Sequence, residues 1–122
     1  MNAMETRMQY LLMIYAEEGG WNKMPEAAQR EGMNAYTAYT DALRKAGILL
    51  GSNRLRDTAD ATTVRITGGK TKVQDGPFAE TKEQLGGYYL IEAKDLDDAI
   101  AWAARCPGAA HGTMEVRPVW NM

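Results

Sequence analysis

Two segments of the chain are apolar on both of the faces that an extended strand presents. They are residues 8–15, MQYLLMIY, and residues 85–93, LGGYYLIEA. Each run is short for a helix, and successive side chains of a strand point to opposite faces. A strand that is apolar on both faces has to be covered from both sides. The two segments therefore predict buried strands of a sheet that is covered on both faces.

The remaining pattern predicts two helices, a hairpin and two further strands. Residues 25–46 favour a helix that starts at Pro25 and stops at Gly47. Asp95 is an N-cap for a second helix that ends before Pro107. Residues 62–67 and 70–75 flank Gly68-Gly69, a two-residue loop that suits a hairpin. Short strands are expected to begin at residue 48 and at residue 113.

The order of these elements predicts an α+β fold. Without the hairpin it reads β-α-β-β-α-β, the ferredoxin-like plan. Two helices cover only one face of such a sheet, so the second face needs another cover. The simplest cover is the same face of a second copy, which predicts a twofold homodimer. We expect residues 1–7 to be a disordered lead and residues 8–122 to form a single domain.

Composition excludes several classes of function. The formal net charge of −2 leaves no basic surplus for binding nucleic acid. No apolar run approaches the roughly 20 residues that cross a bilayer, so no membrane partner is expected. The single cysteine, Cys106, rules out an intrachain disulfide and fits a reducing compartment. Together with a polar N-terminal stretch, these features predict a cytoplasmic location.

The motif Asp75-Gly76-Pro77-Phe78 is the first candidate for chemistry. Asp75 at the end of a strand can face a cleft as a general acid or base. Alternatively, its carboxylate bonds the amides of its own turn, and Phe78 fills the core. The sequence leaves both interpretations open.

A dense set of charges follows this turn. Glu80 and Glu83 are candidate acid–base groups, and Lys82 is a candidate ligand-binding group. The alternative is a solvated loop with weak local ion pairs.

Three further residues complete the candidate set. His111 is the only histidine, so imidazole chemistry depends on it, although an exposed and idle histidine is equally compatible. Arg117 can clamp a carboxylate or phosphate, or it can form an ion pair with Glu115 on the same strand face, Glu80 or Glu83. Arg54 is a weaker candidate for binding an anion.

The sequence predicts neither a metal nor an organic cofactor. It has one histidine and one cysteine, with no spacing typical of metal ligands. The glycine pairs lie at a hairpin turn and inside a strand, where they form no phosphate-binding loop. If the protein is an enzyme, acid–base chemistry is the class that its residues support.

The run DGPFAETKE at residues 75–83, followed by LGGYY at residues 85–89, resembles the signature of the DGPF branch of the YCII-related family. Residues 61–65, 96–103 and 115–119 are similar to other motifs of that family. The resemblance runs from about residue 8 to residue 120. It implies a dimeric α+β barrel of ferredoxin-like protomers.

The resemblance leaves the activity open. Members of the wider family are suspected enzymes because a histidine and an aspartate meet in a cleft, but the helix predicted over residues 25–46 contains no histidine. We expect a homodimer that binds a small polar or anionic ligand or performs acid–base catalysis. The alternatives are a regulatory accessory of extracytoplasmic-function sigma factors, which the family context suggests, and a dimer whose polar cluster is structural.

Overall fold

The computed structural model describes residues 7–121, so nearly all of the predicted lead lies outside the described residues. A four-stranded antiparallel sheet, in the order β2-β5-β1-β6, forms its centre. The strands are β1 (Met8–Ala16), β2 (Leu49–Arg54), β5 (Gln84–Ala93) and β6 (Thr113–Pro118). The two segments that are apolar on both faces are strands, as predicted, and they form the central pair of the sheet.

Helices cover one face of this sheet. They are α2 (Glu26–Lys45) and α3 (Leu96–Arg105). Gly47, with φ of 72°, follows α2, and the Asp95 side chain caps α3 by accepting a hydrogen bond of 2.9 Å from the Asp98 backbone N–H. Both boundaries were predicted from the sequence, although Pro25 is the N-cap of α2 rather than its first helical residue.

The core lies between these helices and the sheet. Leu12, Leu43 and Ile91 are its largest fully buried side chains, one each from β1, α2 and β5. The Tyr39 hydroxyl of α2 donates a hydrogen bond of 2.8 Å to the Trp102 carbonyl oxygen of α3. The two helices are thereby joined over the sheet.

The other sheet face carries no helix among the described residues. Leu11 pairs with Leu90, and Met13 with Tyr88, in the register of β1 and β5. These side chains point away from the core because they alternate with core positions. We call them the helix-free face. The sheet is open at β2 and β6, so the described residues form no closed barrel.

A separate hairpin stands apart from the main sheet. It consists of β3 (Thr62–Thr67) and β4 (Lys70–Asp75), paired as the sequence predicts, with Val64 opposite Val73 and Arg65 opposite Lys72. Gly68 and Gly69 have φ of 59° and 76°, the left-handed values that this loop requires. We call this hairpin the arm.

Several local predictions were wrong. Phe78 is 76% exposed instead of filling the core, because the arm carries its turn away from the sheet. Two segments for which no helix was predicted each contain a single helical turn, α1 (Gly20–Lys23) and α4 (Gly108–His111).

Candidate binding cleft

A cavity of about 780 Å³ lies between α1, α2 and the β2–β5 side of the sheet. Its walls combine apolar and aromatic side chains with two arginines and several carboxylates. Its lining includes Trp21, Met33, Tyr36, Ser52, Arg54 and Arg56. A volume of roughly 300–1,000 Å³ is typical of sites for small organic molecules.

Trp21 forms one wall of the cavity and is held against α2 by a glycine. A Cβ atom at Gly32 would lie 2.9 Å from a carbon of the Trp21 ring, closer than van der Waals contact allows. The Trp21 indole therefore occupies the space that a side chain at position 32 would fill. Gln29, also on α2, donates hydrogen bonds to the carbonyl oxygens of Trp21 at 2.9 Å and Met24 at 3.3 Å, which fixes α1 beside α2.

Arg54 approaches Trp21 from β2. Its guanidinium carbon is 5.4 Å from the centre of the Trp21 ring, within the range of a cation–π contact. No carboxylate of residues 7–121 lies within ion-pair distance of Arg54. The neighbouring Arg56 differs, because its Nε atom is 3.2 Å from the Asp60 carboxylate. Arg54 thus offers its hydrogen-bond donors to the cavity without an internal anion.

Hydroxyl groups form the inner wall of the cavity. Burial, reinforced by the neighbouring Cys106 thiol, raises the pKa of Tyr36 to about 12. The Tyr89 hydroxyl is 2.8 Å from the Thr40 hydroxyl, and burial also raises the pKa of Tyr89. Both phenols are therefore protonated at neutral pH, where they act as hydrogen-bond donors or acceptors rather than as bases.

Hydrogen bonds of Glu18 close the end of the cavity nearest β1. The Glu18 carboxylate accepts hydrogen bonds from the backbone N–H and the hydroxyl of Thr58, at 2.6 Å and 2.5 Å. The Glu18 backbone N–H donates to the Gln84 side-chain oxygen at 3.0 Å. Glu18 therefore joins the end of β1 to the segment after β2 and to the start of β5.

The structure separates the seven residues that the sequence singled out. Arg54 lines the cavity, whereas Lys82 lies outside its lining, with its Nζ atom 4.0 Å from the carboxylate of Glu17, a lining residue. Glu83 accepts a hydrogen bond of 2.7 Å from the Thr113 hydroxyl, outside the cavity lining. Arg117 forms an ion pair with Glu115, which was one of the two predicted alternatives.

The other three candidates also lie outside the lining of this cavity. Asp75 ends β4 at the base of the arm, Glu80 lies in the loop that follows, and His111 ends α4. All three are exposed. Within the protomer, Asp75, Glu80 and His111 therefore lie apart from Arg54, and their roles stay predictions.

Sequence reasoning missed the residues that shape the cavity. Trp21 lay in a segment predicted to be a loop, and Gly32 lay inside a predicted helix. A glycine in a helical pattern costs stability and is often kept for close packing. This signal was present at Gly32, but nothing in the sequence indicated which side chain occupies the space.

The donor set of the described residues does not suit a metal ion. Within residues 7–121, no group of three histidine, cysteine, aspartate or glutamate side chains lies close enough together to hold one. In the same part of the chain, no helix is long and apolar enough to cross a membrane.

Comparison with known proteins identifies the family. The YCII-related domain matches residues 8–122. An uncharacterized protein of Rhizobium meliloti (strain 1021) is 38% identical over 114 residues, which cover 92% of each chain. These matches span the sheet, both long helices, the arm and the cavity. The chain belongs to the YCII-related family.

Proposed function

We propose that the protein binds a small organic anion in this cavity, with Arg54 as the anion receptor. The observation that carries the proposal is the position of Arg54, which lies over Trp21 in the cavity and has no carboxylate partner within residues 7–121. An arginine offers two parallel N–H donors to a carboxylate or phosphate. A ligand-binding role for Lys82 stays a prediction, because its Nζ atom lies 4.0 Å from the Glu17 carboxylate.

The other walls of the cavity favour a ligand with an apolar or aromatic portion. Trp21 offers an aromatic side chain to the cavity, and Met33 is a flexible apolar side chain that adapts to different shapes. Tyr36 and Ser52 provide hydroxyl groups for a polar substituent. An aromatic carboxylate such as benzoate or 4-hydroxybenzoate combines these features and is the appropriate first probe.

The position of Arg54 over Trp21 supports binding at this cavity. The Tyr36 and Tyr89 hydroxyls in its wall are protonated at neutral pH, because burial raises their pKa above an ordinary value that already exceeds neutral pH. Roles of Asp75, Glu80, Glu83 and His111 in acid–base catalysis stay predictions. So does a ligand-binding role for Arg117.

An arginine substitution with a matched control tests the proposal. We expect 4-hydroxybenzoate to raise the melting temperature of the wild-type protein in a saturable manner. Arg54→Gln should weaken binding by about tenfold or more, because a charge-assisted pair contributes roughly 1.5–3 kcal/mol. The control is Arg65→Gln on the arm, since Arg65 also lies 5.4 Å from an aromatic ring centre, that of Phe78. Equal affinity in the two variants would contradict the proposal.

We further propose that the protomer is ferredoxin-like and that two protomers form a homodimer through the helix-free face. The sheet order β2-β5-β1-β6 with both long helices on one side supports the first statement. The leucine, methionine and tyrosine side chains of β1 and β5 support the second, because apolar sheet faces of this kind mark interfaces.

Two finer assignments complete the proposal. The motif at residues 75–83 supports membership of the DGPF branch of the family. The single cysteine, Cys106, is free and buried, which is consistent with a cytoplasmic location.

A further inference from the structure

We propose that the arm binds a second copy of this chain, and this inference rests on the homodimer proposed above. The arm is a two-stranded sheet separate from the main sheet. Eleven of its twelve strand residues are exposed, and the remaining one, Thr63, is half-buried. An isolated two-stranded hairpin is marginally stable in water. The arm therefore needs a packing surface that its own protomer does not supply.

One face of the arm is apolar. Val64, Ile66 and Val73 share this face in the observed register and are 62%, 71% and 65% exposed. β-Branched side chains on neighbouring strands usually pack against a second layer. Here they form a continuous exposed surface, which is typical of a contact site.

Hydrogen bonds fix the base of the arm, so the arm projects from the protomer in a defined direction. The Gly76 backbone N–H donates to the Ala61 carbonyl oxygen at 2.8 Å, and the Thr63 hydroxyl donates to the Gly76 carbonyl oxygen at 2.8 Å. Gly76 has φ of 102°, which favours glycine at this position of the motif. The motif thus closes the hairpin instead of lining the cavity.

Charge favours a second copy as the partner. The arm has three cationic side chains, Arg65, Lys70 and Lys72, and one carboxylate, Asp75, giving a net charge of +2. Since the whole chain has a net charge of −2, the rest of the chain carries −4. The arm of one copy is therefore attracted by the body of another, and such attraction accelerates and orients association.

Symmetry favours the same partner. In a twofold dimer each contact occurs twice, so both arms are covered by one association event. The centre of the helix-free face, formed by β1 and β5, is apolar as well, and Glu115 and Arg117 of β6 flank it. A second copy therefore covers both apolar surfaces of the protomer without any additional protein.

A double substitution on the apolar face of the arm tests this inference. We expect Val64→Ser/Ile66→Ser to raise the dimer Kd, measured by sedimentation equilibrium on the full chain, by about tenfold or more. The matched control is Leu96→Ser/Ile100→Ser, which removes two aliphatic side chains on α3 that are each 48% exposed. The control should keep the wild-type Kd.

The outcomes separate this inference from the homodimer itself. If the arm variant dimerises as tightly as the control, the arm contact is overturned and the homodimer stands. If the wild-type chain is monomeric at micromolar concentration, both are overturned. Amide hydrogen exchange of the wild-type chain provides a measurement without substitutions. Dilution below the Kd should speed exchange at residues 62–75, and an unchanged exchange rate would contradict the arm contact.

Discussion

At the scale of single residues, the candidate site depends on a contact between Gly32 and Trp21. A glycine inside a helix costs about 1 kcal/mol relative to alanine. At Gly32 this cost is offset by the close approach of the indole, whose nearest ring carbon would be 2.9 Å from a Cβ atom. Trp21 in turn provides the ring that Arg54 lies against. One missing side chain on α2 therefore positions both groups.

A double-mutant cycle measures this contact. In the wild-type chain, Gly32→Ala should leave the free energy of unfolding unchanged or lower it, because the gain in helix propensity is opposed by displacement of Trp21. In a Trp21→Ala background the same substitution should raise it by about 1 kcal/mol. Urea denaturation of the four proteins gives the coupling. If Gly32→Ala changes the free energy of unfolding equally in both backgrounds, the Trp21 indole does not pack against α2 at Gly32.

At the scale of elements, tyrosines join α2 to the sheet and to α3. Tyr39 and Tyr89 form an edge-to-face pair with ring centres 5.1 Å apart. Tyr36 lies beside Cys106 at the end of α3, and burial raises the pKa of all three tyrosines and of the Cys106 thiol. Ionisation of these phenols is therefore linked to unfolding.

The direction of this linkage can be predicted. The folded pKa of Tyr36, about 12, lies above the ordinary value of 10.0, so between these values the folded chain binds more protons than the unfolded chain. The contribution of protonated Tyr36 to the free energy of unfolding is complete below pH 10 and is lost as the pH rises through the folded pKa.

Urea denaturation between pH 9 and pH 12 checks this prediction. We expect the stability of the wild-type chain to fall across this range and that of Tyr36→Phe to fall less steeply. If the free energy of unfolding falls equally steeply with pH in the two proteins, this prediction is wrong.

The sequence predicted these elements better than it predicted the site. The alternation in β1 and β5, the Gly68-Gly69 loop and the Asp95 cap are local signals, and each gave the correct element. The cavity forms where α1, α2 and β2 approach one another, and no local pattern encodes that approach. Arg54 was identified as a candidate from its charge, while Trp21 was missed because its role depends on long-range packing.

The difference between local sequence signals and long-range packing also explains where the motif at residues 75–83 lies in the fold. Its density of charged and turn-forming residues suggested a cleft, but such residues also suit the base of an exposed hairpin. Phe78 was expected in the core because of its apolar side chain. The position of the arm, which is a property of the tertiary fold, places Phe78 under Arg65 in solvent instead.

At the scale of the whole molecule, the account requires two protomers. We expect light scattering to give twice the chain mass of 13.5 kDa for the wild-type protein. Leu90→Glu places a charge in the centre of the helix-free face and should yield a monomer, since an unpaired carboxylate is costly to bury. Leu96→Glu on α3, away from that face, is the control and should remain dimeric. A dimeric Leu90→Glu variant would contradict the proposed interface.

The central claim is that the cavity beside Arg54 binds a small organic anion, and a titration followed by nuclear magnetic resonance tests it most directly. The signals to follow are the indole N–H of Trp21, identified with Trp21→Phe, and the Nε–H of Arg54. The account predicts that 4-hydroxybenzoate shifts both signals along one saturable curve, while the indole signals of Trp102 and Trp120 stay in place. Saturable shifts elsewhere, or no shift at Trp21 and Arg54 with either 4-hydroxybenzoate or benzoate, would contradict it.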